Sequence, residues 1–223
     1  MSMNKILVVA VHPDDETLGC GGTLLRLREE GAEIHWMIVT SMTADCGFSA
    51  EDMDRRESEI ETVAKMYEFF SVHRLGFPAT RLDEISTSQL VAAMSKVFQA
   101  VQPNQVFLPF QHDVHSDHQH AFAAAYSCTK TFRYPSVRKV MMMETLSETD
   151  FSPSAGRGFV PNLFVDVTHQ FERKMEILRV FESELRPHPF PRSEKAVEAL
   201  ALLRGAAAGC RYSESFIILK EIQ

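Results

Sequence analysis

Four cysteines occur in the 223 residues, and no two stand close enough for a CxxC redox pair or a zinc-knuckle spacing. Cys20, Cys46, Cys128 and Cys210 are therefore read as reduced thiols of an intracellular protein. No apolar run approaches the ~20 residues of a membrane span. No secretory leader is read either, because the short N-terminal apolar run passes directly into His12-Pro13-Asp14-Asp15-Glu16. A cytoplasmic protein without a membrane span is the expectation. Basic charge is in short supply: 23 Lys+Arg against 30 Asp+Glu leave a net charge of −7. That balance argues against nucleic acid or an anionic membrane surface as the main partner, while a local basic patch still leaves room for a small anion. There is no internal repeat and no linker rich enough to separate domains, so residues 1–223 are expected to form one domain.

What the chain does have is alternation. Residues 5–11 read as a buried strand, 17–30 as a helix stopped by Gly31, and 33–40 as a second strand. A helix over 51–69 carries Ile60, Val63, Ala64 and Tyr67 at helical spacing, and Val72–Gly76 is a short strand. Ser86, Thr87 or Ser88 can cap a helix running to about Val101, before a strand over 105–109. A histidine-rich loop over 110–118 leads into a helix to about residue 130, followed by a strand over 140–144. Residues 147–161 read as a loop, 163–167 as a strand and 168–184 as a helix. Pro187, Pro189 and Pro191 break the chain before a helix capped by Ser193 and a final strand over 215–219. Strands alternating with helices imply parallel pairing through right-handed crossovers. The expected fold is α/β: a Rossmann-like, doubly wound, mostly parallel sheet with helices on both faces, in a single domain.

Chemistry concentrates in two loops, each following a buried strand. The first is His12-Pro13-Asp14-Asp15-Glu16; the second holds His112, His115, His118 and His120 with Asp113 and Asp117. In a doubly wound sheet both would open at the same edge, where ligands bind. Imidazole and carboxylate together suit zinc, and three protein ligands with an open position make a catalytic arrangement. A hydrolytic site also needs a spare base and a donor for a developing oxyanion. Competing readings exist: Asp14 could cap the following helix, the histidines could be a surface patch, and Gly19, Gly21 and Gly22 could be packing points. The Gly-x-Gly-Gly run lacks the GxGxxG spacing of a dinucleotide fingerprint.

Two separated motifs make the chain resemble the LmbE-like, or PIG-L, family of zinc-dependent N-acetylglucosaminyl deacetylases. The first is Ala10-Val11-His12-Pro13-Asp14-Asp15-Glu16 with Gly21-Gly22-Thr23; the second is Asp113-Val114-His115-Ser116-Asp117-His118, similar to the family's Asp-x-His-Pro-Asp-His. Weaker agreement runs through Arg56-Glu57-Ser58-Glu59, Leu75-Gly76-Phe77, Phe164-Val165-Asp166-Val167, Glu172-Arg173-Lys174 and Tyr212-Ser213-Glu214-Ser215-Phe216. The resemblance implies one zinc ion per chain, held by His12, Asp15 and His118. It implies Asp14 as the general base toward water and His115 as the group that steadies the oxyanion or protonates the leaving amine. Asp117 would orient a neighbouring histidine, and Arg56 is a candidate substrate contact, its alternative being a solvated helix arginine. Ser116 stands where the family usually has proline. The resemblance assigns no task to Glu16, His112 or His120; His120 reads as a helix-surface residue.

The implied reaction is removal of an acetyl group from an N-acetylated amino sugar or sugar conjugate, releasing acetate and a free amine. Alternatives are an amidase on another acyl-amino sugar conjugate, a metal-dependent phosphoesterase, and a non-catalytic binding module. The implied partners are a small-molecule N-acetylated sugar and, by resemblance, further copies of the chain in a trimer or hexamer.

Overall fold

The computed structural model describes residues 4–153 and 158–223. The middle of the loop expected over 147–161, residues 154–157, lies outside them.

The strands are β1 (Lys5–Ala10), β2 (Glu33–Ser41), β3 (Ser71–Pro78), β4 (Gln105–Leu108), β5 (Lys139–Met143), β6 (Leu163–Asp166) and β7 (Ser213–Glu221). The helices are α1 (Asp15–Glu29), α2 (Ala50–Tyr67), α3 (Thr87–Val101), α4 (Ser116–Ser127), α5 (Phe171–Leu178) and α6 (Glu194–Ala208). All seven strands form one sheet in the order β3-β2-β1-β4-β5-β7-β6. β1 to β5 run parallel to one another, whereas β7 runs antiparallel to both β5 and β6. The sheet is thus mostly parallel, with one reversed strand near an edge.

The inner parallel strands β1, β4 and β5 are largely apolar on both faces because helices cover both faces, whereas β3 at the edge is only partly buried. Side chains alternate across a strand. Leu7, Val9 and Val11 therefore join Leu90, Met94 and Phe98 of α3 and Ala121, Ala124 and Ala125 of α4 in one core layer. Ile6, Val8 and Ala10 join Leu24 of α1 and Ile60, Val63 and Tyr67 of α2 in the other. A third cluster packs α5 and α6 together through Phe171, Met175, Leu178, Val197 and Ala201. Among the described residues, no helix is long and apolar enough to cross a membrane.

Several boundaries differ from expectation by a few residues, and two of the differences bear on the site. α1 begins at Asp15 instead of residue 17, because the Asp14 carbonyl accepts the N–H groups of Thr17 and Leu18 at 3.0 and 2.8 Å. α5 ends at Leu178, well short of 184. The chain turns there so that Phe181 can enter the core beside α1 and α2, and Glu182–Glu184 form a 3-10 turn.

α1 is also kinked, with Cys20 in a non-helical conformation (φ −151°, ψ 16°). The kink frees backbone groups, and a buried ion pair receives them. Glu214 accepts the N–H groups of Gly22 and Thr23 at 2.9 and 2.7 Å. Lys174 Nζ donates to Glu214 at 2.7 Å and to the Leu18 carbonyl at 3.0 Å. A Cβ on Gly21 would sit 2.4 Å from the Tyr67 hydroxyl, so glycine is what lets α2 approach this helix.

Candidate active site

The strand order reverses between β1 and β4, and a crevice opens beyond their carboxyl ends, as expected of a doubly wound sheet. The loop after β1 and the loop into α4 meet in that crevice. The rings of His12 and His115 lie 4.7 Å apart, and those of His12 and His118 lie 5.3 Å apart. A cavity of about 370 Å³ adjoins this cluster; His12, Asp14, Asp15 and His115 are among the residues that line it.

Two overlapping triplets have ligand atoms within 4.8 Å of one another: His12, Asp15 and His118, and His12, His115 and Asp117. The first fits a cation better. His118 Nε2 is buried and has no hydrogen-bond partner among the described residues, although Asp15 Oδ2 lies 3.3 Å away. A buried ring nitrogen left unsatisfied calls for a ligand. Its other nitrogen, Nδ1, is held by Asp113 Oδ2 at 2.8 Å, the outer support common around metal-binding imidazoles. Asp113 is steadied in turn by the Thr149 hydroxyl at 2.7 Å. Asp15 Oδ2 accepts the backbone N–H groups of Val11 and His12 at 2.9 and 2.8 Å, which aims the carboxylate.

Asp117 of the second triplet is already engaged. Its oxygens accept the backbone N–H groups of Thr80 and Leu82 at 2.7 and 3.0 Å and contact His12 Nε2 at 3.2 Å. Burial pushes its carboxyl up, but those hydrogen bonds outweigh burial and hold it below its ordinary range. Burial also opposes charge on His118, but Asp15 and Asp113 outweigh it and push this imidazole up to about 9 in the ion-free protein.

Asp14 stands outside both triplets. It occupies the N-cap position of α1, yet its side chain makes no capping hydrogen bond. Its φ of 137° is unusual for any residue but glycine. Such a conformation is a strained one, held by its surroundings. Here the support comes from Glu16, whose carboxylate accepts the Asp14 N–H at 3.2 Å and the Thr17 hydroxyl at 2.6 Å. Burial, then the neighbouring charge of Asp15, holds the Asp14 carboxyl well above its ordinary range.

His115 caps α4: its Nδ1 accepts the Asp117 N–H at 3.1 Å. The neutral ring must then carry its hydrogen on Nε2, which makes that atom a donor. Burial, then the nearby His12, lowers its tendency to take a second proton. Ser116 follows as the first residue of the helix, where the missing N–H of proline would also be harmless. The serine therefore leaves this cap intact.

Arg56 is only 5% exposed and is no solvated helix arginine. Its Nη1 donates to the Pro13 carbonyl at 2.7 Å, tying α2 to the loop that carries Asp14. Its Nη2 reaches Ser183 at 3.1 Å and pairs with Glu184. The guanidinium also lines the cavity. His112 packs edge-on against Phe110 at 5.4 Å, and neither it nor His120 belongs to either triplet.

Sequence reasoning missed Asp113 as the partner of His118, although its place five residues earlier in the motif was a usable signal. It also missed Thr149, Glu184 and Arg192, which come from loops with no recognisable pattern.

Comparison with known proteins bears on the same residues. The PIG-L family profile, described as GlcNAc-PI de-N-acetylase, matches residues 7–129, which include both loops. The diacetylchitobiose deacetylase of Thermococcus kodakarensis is 26% identical over 95% of this chain and 82% of its own length. The solved N,N'-diacetylchitobiose deacetylase of Pyrococcus horikoshii, bound to an inhibitor, superimposes with a TM-score of 0.80 at 24% identity, covering 98% of this chain and 85% of that one. The 4-carboxy-2-hydroxymuconate hydratase GalB of Pseudomonas putida shares the fold at a TM-score of 0.76 and 17% identity, over 99% and 98% of the two chains.

Proposed function

The chain belongs to the PIG-L family, and from that premise we propose that it is a zinc-dependent hydrolase that removes the acetyl group of an N-acetylated amino sugar or sugar conjugate. The observation that carries this reading is Asp14: a buried carboxylate beside a complete ligand triplet, facing the cavity and committed to no cap. A binding module has no need of such a group.

His12, Asp15 and His118 would hold one ion per chain. Zinc in that place supplies Lewis acidity, which polarises an acetamide carbonyl and makes water acidic near neutral pH. Asp14 takes a proton from water as the water oxygen forms its bond to the carbonyl carbon. A carboxyl whose pKa burial has raised is suited to that task, and a cation beside it brings the value back down. The Nε2–H of His115 donates to the oxyanion of the tetrahedral adduct. As the C–N bond breaks, the proton held by Asp14 passes to the departing nitrogen, leaving acetate and a free amine. Asp117 keeps His12 and the His115 cap in place, and Arg56 fixes the loop through Pro13.

A phosphoesterase working with two metals would want a second independent ligand set. The second triplet shares His12 and contains the engaged Asp117, which favours a single ion.

The test is Asp14→Asn. It should retain about one zinc per chain by metal analysis while amine release from N-acetylated sugars falls by ~10²-fold or more, the usual scale of losing a general base. Full activity in a zinc-replete variant would remove Asp14 from the mechanism.

A further inference from the structure

Three arginines also line the cavity, and each is already matched to a carboxylate. Arg56 pairs with Glu184, and it also lies 3.0 Å from Glu59. Arg192 donates Nη2 to the other oxygen of Glu184 at 2.9 Å and Nη1 to the Ser147 hydroxyl at 2.7 Å. Arg74 pairs with Glu57. Glu184 therefore occupies both of its carboxylate oxygens with the two guanidiniums nearest Asp14.

The charge balance of the wall follows. A divalent cation held by His12, Asp15 and His118 would offset Asp14 and Asp15. Among the described residues, the rest of the lining holds Glu57, Glu148 and Glu184 against Arg56, Arg74 and Arg192, with no net charge. Met42, Phe48, Met53, Ile60 and Leu146 give the wall apolar surface beside its hydroxyl-bearing residues. Among the described residues, an anionic group entering here meets no free cation. To bind an arginine it must displace a carboxylate and then lie beside it, and such like-charge juxtaposition is how sites reject wrong partners. An uncharged group loses nothing and gains apolar contact.

We propose that Glu184 sets the specificity of the cavity: by holding Arg56 and Arg192 in a neutral cluster, it selects N-acetylated amino sugars whose attached group is uncharged, a second sugar or an aryl group, over those carrying phosphate or carboxylate. This rests on the deacetylation reading above. Glu184 acts as a specificity residue and takes no part in the bond changes.

The experiment separates the two. The zinc-loaded protein is assayed with phenyl N-acetylglucosaminide and with N-acetylglucosamine 1-phosphate, and titrated calorimetrically with their amine products, so that no turnover intervenes in the binding measurement. The phenyl compound should bind at least ~10-fold more tightly, and kcat/KM should rank the two the same way. Glu184→Gln, checked for a native melting transition, should shrink that ratio by ~10-fold or more, chiefly through tighter binding of the phosphate. Arg192→Gln leaves Glu184 with one guanidinium and should preserve or widen the ratio. Equal or tighter binding of the phosphate by the unaltered protein overturns the proposal, as does an unchanged ratio in Glu184→Gln. Should that variant not fold, a narrowed ratio in Arg192→Gln overturns it. A binding preference that persists without amine release from either compound counts against deacetylation and leaves the charge selection standing.

Discussion

Asp14, Asp15 and Glu16 are consecutive, yet each carboxylate meets a different environment. Two backbone N–H groups aim Asp15, as suits a ligand. Asp14 is buried with no capping partner, as suits a base. Glu16 is wholly buried, and burial pushes it up to about 7; it holds the Asp14 N–H in place of a ligand. What separates them is the φ of 137° at Asp14, which turns the chain between one carboxylate and the next. The same division of labour holds at His118. One nitrogen is left for a cation, while Asp113 fixes the other and with it the ring. Asp113→Asn keeps the shape of that support but replaces the charged acceptor, and should weaken zinc affinity by ~10–100-fold, the usual cost of losing an outer partner. Competition with a calibrated zinc chelator reads this directly; unchanged affinity would mean that Asp113 plays no part in holding the ion.

At the scale of elements, the apolar runs of β1, β2, β4 and β5 were legible because strands covered on both faces must be apolar throughout. Their ends were legible as the site for the same reason: a cluster such as His12-Pro13-Asp14-Asp15-Glu16 has no place inside such a strand. The reversal of β7 was not legible, since an apolar run reads alike in either direction. Nor was the early end of α5, because Val180 and Phe181 continue an apolar pattern although Phe181 serves the core from a turn. That turn is what carries Glu184 to Arg56 and Arg192, so the missed boundary and the missed specificity residue share one cause. Neighbouring strands also hold a titratable cluster away from the site. In β2, His35 Nδ1 lies 2.7 Å from the Ser71 hydroxyl, which lies 2.7 Å from His73 Nε2 in β3. Glu33 lies 3.8 Å from the other nitrogen of His35. Burial, then the charges of His73 and Lys5, pushes His35 from 6.5 down to about 4. Between these values the unfolded chain binds the proton and the folded one does not. His35 therefore costs no stability above pH ~6.5 and lowers it progressively as pH falls toward ~4. Urea midpoints should fall more steeply over that window in the unaltered protein than in His35→Gln. Parallel curves would show that this imidazole is protonated as readily in the fold as outside it.

Over the whole molecule, the site is a seam between segments distant in sequence. His12 and Asp15 come from the end of β1 and the start of α1, and His118 from α4. Asp117 pins residues 80 and 82 to the same place, and the bond from Thr149 to Asp113 brings in the chain beyond β5. The unfolded chain contains no such convergence, so an ion held by His12, Asp15 and His118 binds the folded state alone. Its binding free energy then adds to the stability of the fold. At a free zinc concentration one hundred times the dissociation constant the gain is ~2.7 kcal/mol. For a chain of this length each kcal/mol moves the melting temperature by roughly 2–4 °C, so zinc should raise Tm of chelator-treated protein by roughly 5–11 °C. His118→Gln withdraws the buried ring nitrogen that has no partner, and should abolish most of that rise while leaving the ion-free protein folded. If zinc bound only to scattered surface carboxylates, the unaltered protein and the variant would shift alike. A full rise in His118→Gln would place the ion elsewhere and undo the assignment of His12, Asp15 and His118 together.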